Sequence, residues 1–168
     1  MNERWKPSVT VAAIASRVRA GRREYLLVEE ETPEGLKLNN PAGHLDPGES
    51  PQQAVVREAL EETARVFVPE HLVGIYLARL ARPATAEDIT YLRFAFAGTV
   101  GEADRGRALD AGIVRNLWLT LDELRACRER HRSPLVLRSV EDDAAGRALP
   151  LDAIVTDDSV TGAPRLLR

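Results

Sequence analysis

Residues 50–63 constrain this chain more than any other stretch. Ser50 can cap a helix, Pro51 suits its first position because the missing N–H has no partner there anyway, and Gln53 completes a capping box. The predicted helix runs from Pro51 to about Thr63, with Ala54, Val55, Ala59 and Leu60 available for burial. Its other face carries Glu58, Glu61 and Glu62 at i, i+3 and i+4, which stacks three carboxylates about one turn apart. Each such like-charge pair costs an exposed helix roughly 0.2–0.5 kcal/mol. The cluster also lies toward the C-terminal end, where the helix dipole disfavours anions. A helix shaped by stability alone would not choose this arrangement. A hard divalent cation reverses the sign of the argument, because Mg²⁺ takes oxygen ligands from carboxylates, water and phosphate. Taken alone, however, Glu-x-x-Glu-Glu reads more readily as a solvated acidic face with Arg57 and Arg65 as partners.

The helix sits among strands. Residues 9–14 are apolar and β-branched, residues 25–28 follow a turn around Gly21, and Pro33 with Gly35 marks the next turn. The Asn39-Asn40-Pro41 break leads into a predicted loop holding Gly43, Pro47 and Gly48. Beyond the helix, residues 71–80, 91–100 and 113–119 read as strands. Thr120 caps a helix with Glu123 three residues on, and a further helix begins near Ser133-Pro134. Residues 151–155 are expected to form a last strand, and residues 157–168 a loosely held tail. All 168 residues are expected to form one domain.

Composition narrows the partners. With 44% hydrophobic and 29% charged residues the chain can bury an ordinary core. A net charge of −3 and a pI near 5.7 give no global pull toward nucleic acid or an anionic membrane, so a phosphate partner must be held locally. Cys127 is the single cysteine, which excludes an internal disulfide and favours a surface or half-buried thiol over a catalytic one. No segment approaches the ~18 apolar residues of a membrane span, and a cytoplasmic location is expected.

The wider pattern outweighs the solvated-face reading. Gly43, five residues, Glu49, seven residues, then Arg57-Glu58-Ala59-Leu60-Glu61-Glu62 resembles the Nudix box, spanning residues 43–65 here. The match departs at its end, where Ala64 replaces a glycine and Arg65 an aliphatic residue. A glycine there would permit a left-handed exit, so a different or slightly later helix end is expected. The resemblance implies the Nudix α/β/α sandwich with a mixed sheet, and hydrolysis of phosphoanhydride bonds with Mg²⁺, for which Mn²⁺ can substitute. It implies metal binding by the Gly43 carbonyl, Glu58 and Glu62, with Glu61 ligating a further ion or orienting water. Glu58 or another carboxylate would be the general base, and Glu49 and Arg57 an orienting ion pair. Asp110, in the charged connection that also holds Glu102 and Asp104, is the candidate for a fourth carboxylate ligand.

Pro41-Ala42-Gly43-His44-Leu45, Tyr91-Leu92-Arg93-Phe94 and Ser133-Pro134-Leu135-Val136, with Lys6-Pro7 and Pro150-Leu151, are similar to the NudJ-type subgroup. This implies hydroxymethylpyrimidine pyrophosphate, thiamine pyrophosphate or nucleoside di- and triphosphates as substrates. Two alternatives stand beside it: a hydrolase of ADP-ribose or another nucleoside diphosphate-X, and a catalytically retired domain for ligand sensing or protein binding. Candidate substrate-binding residues are Asn40, His44, Arg82 and Arg93, where an arginine can pair with phosphate and His44 follows the metal-loop glycine. Trp5, Tyr91 and Trp118 can stack on a base, although a tryptophan at position 118 equally suits the core. Expected partners are a small-molecule diphosphate and, for a homodimer, a second copy. A monomer is equally compatible, and neither nucleic acid nor membrane is expected.

Overall fold

The alternation of β1 (Ser8–Arg19) sets the architecture: Val11, Ala13 and Ala15 face one side of a sheet and Ile14 the other, all fully buried. A strand buried on both faces belongs at the centre of a layered fold. The computed structural model describes residues 4–82 and 86–163, and in it β1 is the middle strand. One edge pairs in parallel with β6 (Glu87–Val100), from Ser8↔Tyr91 to Ala15↔Gly98. The other edge is shared. Its C-terminal end forms an antiparallel hairpin with β2 (Arg22–Thr32), and its N-terminal half pairs with the short β4 (Ala42–His44). The hairpin turn is Ala20-Gly21, both at positive φ (49° and 75°), the two-residue geometry that matches strand twist.

β3 (Gly35–Asn39) and β7 (Ile113–Thr120) pair with β2, and β5 (Phe67–Arg82) pairs antiparallel with β6. The order β3-β2-β1-β6-β5, with one parallel pair, makes the sheet mixed. Helix α1 (Pro51–Thr63) covers one face through Ala54, Val55 and Ala59, packed with Val11, Ala13, Leu26, Phe67 and Phe96. Helices α2 (Leu121–Ala126) and α3 (Leu135–Ala144) cover the other, with Leu124, Val136 and Val140 against Ile14, Tyr25, Leu27 and Val73. A short helix, α4 (Asp158–Thr161), follows. The result is the expected α/β/α sandwich. Full burial of a side chain such as Val55 contributes about 1.5–3 kcal/mol to holding α1 on the sheet.

Three expectations change. Residues 151–155 form no strand; Leu151–Ala153 is a 3-10 turn, and the nearby strand contact is an isolated bridge between Leu149 and Leu72. Gly43 lies not in a loop but in β4, because the break at residues 39–41 lets the chain reverse and pair with β1. The predicted capping box forms, with Ser50 Oγ accepting from Gln53 N–H at 3.1 Å and Gln53 Oε1 from Ser50 N–H at 2.8 Å. The α1 exit is also not displaced: Ala64 adopts the left-handed conformation (φ 53°) in place of the glycine, and its N–H donates to the Leu60 carbonyl at 2.9 Å. A non-glycine residue there carries roughly 1 kcal/mol of strain, and this one is otherwise buried.

Candidate active site

Helix α1 and strand β4 are clamped together by the acidic residues themselves. The Glu62 carboxylate accepts the Ala42 N–H at 2.9 Å, and the Glu58 carboxylate lies directly against Gly43. A Cβ at position 43 would come within 2.1 Å of the Glu58 carboxyl carbon, so only glycine fits there. Glu58 and Glu62 are 9% and 8% exposed, an unusual depth for two acids on one helix face. Glu61, on the outer side of the same face, is more exposed.

Arg57 organises the surroundings. Its Nε and Nη2 hold both oxygens of Glu49 at 3.0 and 2.7 Å, Nη2 also reaches the His44 carbonyl at 2.9 Å, and Nη1 reaches Glu58 at 2.8 Å and Glu61 at 3.1 Å. One guanidinium thus ties residues 44–49 to the helix, with the bidentate geometry that suits arginine. The Arg57 hydrogen bond holds the Glu49 carboxyl below its ordinary range, and Arg57 in turn stays firmly cationic.

The electrostatics run the other way at the acids. Burial pushes Glu62 up to about 8 despite the Ala42 hydrogen bond, and the charges of Glu30, Glu58 and Asp110 push in the same direction. Burial also raises Glu58, with Glu61 and Asp110 adding to it against the pull of Arg57. Asp110 is anchored beside the helix by its N–H, which donates to the Glu61 carbonyl at 3.1 Å, while Asp104 is engaged in its own turn with Gly106 N–H. Among the described residues no three acidic or imidazole side chains already converge as a ready-made metal cage. The chemistry of the group nevertheless fits a hard cation: its donors are all oxygen, and its buried like charges are the feature that a divalent ion relieves.

Ala42 and Gly43 also border a cavity of about 230 Å³. His44 and Tyr91 line it, with ring centroids 6.5 Å apart, as does Arg93. Four further polar residues, Thr10, Glu30, Asn39 and Arg132, line it without having been singled out in the sequence. Glu30 had a faint signal: it sits in an acidic run, Glu29-Glu30-Glu31, directly after the apolar residues 25–28 of β2. Asn40, expected in the pocket, is turned away. It is 1% exposed and its Oδ1 accepts from Ser139 Oγ at 3.4 Å, because strand alternation sends its neighbour Asn39 toward the cavity instead. Arg82 ends β5, and its side chain lies outside the described residues. Trp118 packs against the α1-side core with the Arg17 guanidinium 4.1 Å from its ring centre, the core alternative rather than a base platform. Trp5 is exposed. Cys127 is half-buried and its thiol pushed up by burial, which argues against an activated nucleophile.

Comparison with known proteins agrees with this geometry. The NUDIX domain family model matches residues 7–139. Phosphatase NudJ of Escherichia coli (strain K12) is 33% identical over 150 residues, covering 89% of this chain and 92% of that protein. A NUDIX hydrolase from Nitrosomonas europaea is 49% identical, covers 91% of this chain and 99% of its own, and superposes with a TM-score of 0.79. The NUDIX domain of Shewanella oneidensis NrtR, solved with ADP ribose, shares the fold at 17% identity, with a TM-score of 0.64 over 84% of this chain and 89% of that one. The chain belongs to the Nudix hydrolase family, enzymes that act on phosphoanhydride bonds.

Proposed function

We propose that this protein, working as one domain in the cytoplasm, hydrolyses the diphosphate of a small heterocyclic or nucleoside di- or triphosphate with the help of Mg²⁺, for which Mn²⁺ can substitute. Hydroxymethylpyrimidine pyrophosphate, thiamine pyrophosphate and nucleoside di- and triphosphates are the substrates to try first. The observation that carries this reading is the packing of two buried carboxylates, Glu58 and Glu62, onto β4 at the border of a cavity.

In this reading the Gly43 carbonyl, Glu58 and Glu62 hold the cation, with Glu61 and Asp110 as further ligands. Bound there, the ion supplies charge neutralisation on the diphosphate and lowers the pKa of water. Glu58 or another carboxylate of the group takes the proton from the attacking water. Glu49 and Arg57 keep Glu58 and Glu61 oriented. The absence of a side chain at Gly43 leaves Glu58 its position against the strand.

The cavity volume favours a compact substrate, since about 230 Å³ is below the roughly 300–1,000 Å³ of pockets for drug-sized ligands. The ADP-ribose bound by the NrtR domain keeps a nucleoside diphosphate-X hydrolase as the second reading. Product analysis separates the two: orthophosphate plus a monophosphate supports the first, two organic phosphates from ADP-ribose the second. The test is phosphate release from these substrates with Mg²⁺, with excess EDTA, and by Glu62→Gln. Turnover that survives EDTA, or an undiminished Glu62→Gln, would refute the mechanism, whereas no turnover of any of these substrates with Mg²⁺ would leave a ligand-sensing domain.

A further inference from the structure

A second concavity lies on the outer side of the wall that bounds the cavity beside β4. It has a volume of about 460 Å³ and is lined from residues 128–141, in the connection from α2 to α3 and on α3 itself. The wall is the segment 131–133. It is held alongside β3 by the bridge between Leu38 and His131 and by the Arg132 N–H, which donates to the Leu38 carbonyl at 2.9 Å. Arg132 and Ser133 line both spaces, so the two are neighbours with otherwise different linings.

The charge of this outer cleft runs against that of the chain. The protein carries a net charge of −3, yet Arg128, Arg132 and Arg138 line the cleft against a single acid, Glu141, among the described residues. That acid is answered from outside the cleft, its Oε1 accepting from Arg125 Nε at 2.9 Å. The acids that pair with the arginines also lie outside it. Glu30 holds Arg132 Nη1 at 3.0 Å from the side of the cavity beside β4, and Asp142 holds Arg138 Nε at 3.0 Å. Arg128 pairs with no acid among the described residues. A guanidinium has more N–H donors than one such bond uses, so all three arginines keep donors for a ligand. Burial pulls the His131 imidazole, also on the wall, below its ordinary value, which leaves the arginines as the cations of the cleft at neutral pH.

A cleft of this volume falls within the roughly 300–1,000 Å³ of small-molecule sites, and its cations select an anion. Three guanidiniums can each take an oxygen of a tetrahedral phosphate, whereas a planar carboxylate has its two oxygens for one bidentate partner. Pro134 and the buried Leu137 add an apolar surface for an organic group on that phosphate. We propose that this cleft binds a small phosphomonoester, its phosphate between Arg128, Arg132 and Arg138 and its organic part on Pro134 and Leu137. The site is separate from the Glu58 and Glu62 carboxylates and does not depend on their chemistry. Arg132 links the two spaces, because an anion in the cleft competes with Glu30 for the same guanidinium. The linkage is reciprocal, so whatever loosens the pair of Arg132 and Glu30 strengthens anion binding.

The test is a titration of the metal-free full chain with phenyl phosphate at low salt, followed by amide chemical shifts and by calorimetry. Shifts should move at residues 128–141, with a Kd of about 1 mM or tighter. Arg128→Gln and Arg138→Gln should each weaken binding by about tenfold. Arg19→Gln, the same loss of charge on the exposed hairpin of β1 and β2, should change it by less than about twofold. Inorganic phosphate, without the ring, and benzenesulfonate, with the ring but one charge, should both bind about threefold or more weakly. Glu30→Gln, which frees Arg132, should tighten phenyl phosphate by about threefold or more. Shifts confined to residues 42–44 and 91–93, no saturation by about 10 mM, or an affinity untouched by Arg128→Gln and Arg138→Gln in variants with wild-type circular dichroism would overturn the site. Equal affinity for all three anions would overturn its ligand class, and an unchanged affinity in Glu30→Gln would overturn the link through Arg132.

Discussion

Glu62→Gln should make the metal-free protein more stable while abolishing its activity. Glu62 is 8% exposed, and its pKa is moved from 4.5 to about 8, chiefly by burial. In the unfolded chain the same group titrates near 4.5, so the folded state holds the proton more tightly between these values. The destabilising effect of ionised Glu62 is therefore absent below about pH 4.5, grows as pH rises, and is complete above about 8. At about 1.4 kcal/mol per pH unit, that interval sets an upper bound of about 5 kcal/mol. Relaxation and water penetration reduce it to about 2–3 kcal/mol. Glutamine keeps an oxygen for the Ala42 N–H and removes the charge. For a domain of this size each kcal/mol moves Tm by about 2–4 °C, so at pH 8.5 in EDTA the variant should melt about 5–10 °C above the wild type. At pH 4 the two should nearly coincide. Millimolar Mg²⁺ should raise the wild-type Tm and leave the variant almost unmoved, because a ligand that binds only the folded state stabilises it. Thermal melts followed by circular dichroism over pH 4–9 make the measurement. A variant no more stable than the wild type at pH 8.5 without metal would refute the view of Glu62 as a strained, metal-awaiting carboxylate.

Three further outcomes can be checked alongside. Gly43→Ala forces the Glu58 carboxylate out of its place; steady-state kinetics should show kcat reduced by about 100-fold or more, with a stability loss of only about 1 kcal/mol because the displaced atoms end a flexible side chain. Glu29, 3% exposed, accepts from Arg115 and Arg130 at 2.6 Å each; the Arg115 hydrogen bond in particular depresses its pKa, so its stabilising contribution is present above the ordinary 4.5 and is lost as pH falls through the lowered value. Glu29→Gln should therefore destabilise at pH 7 by about 1–3 kcal/mol in urea unfolding and leave a shallower acid limb below pH 4.5. Ala20→Asn should stabilise by about 0.5–1 kcal/mol, since asparagine tolerates the left-handed conformation of this exposed hairpin turn better than alanine, and a lower urea midpoint would count against the turn geometry.

The residues from Ser50 to Glu62 were legible because their information is local. A capping box, a proline at the first position and an i, i+3, i+4 spacing act within one or two turns, and the helix they specify is the helix observed. The positions of β1, β2, β5, β6 and β7 were legible for the same reason, through apolar runs and turn residues, although their ends extend beyond the sequence estimate where pairing with a neighbour continues, as in β5, whereas the short β3 and β4 were not read as strands. Residues 151–155 misled because an apolar stretch of that length specifies a strand only if an edge is free to pair with it.

What the sequence by itself determined was thus the box helix, its acid face and the family that their spacing with Gly43 marks. Tertiary structure alone decided that Gly43 is a strand residue pressed on Glu58, that Asp110 adds its charge to Glu58 and Glu62, and that Asn39 rather than Asn40 faces the cavity. It also decided that Thr10, Glu30, Asn39 and Arg93 meet there. The physical reason is distance along the chain: periodicity and caps record contacts between near neighbours, whereas a polar edge assembled from β1, β2, β3 and β6 exists only once strand pairing has fixed which alternate side chains point the same way.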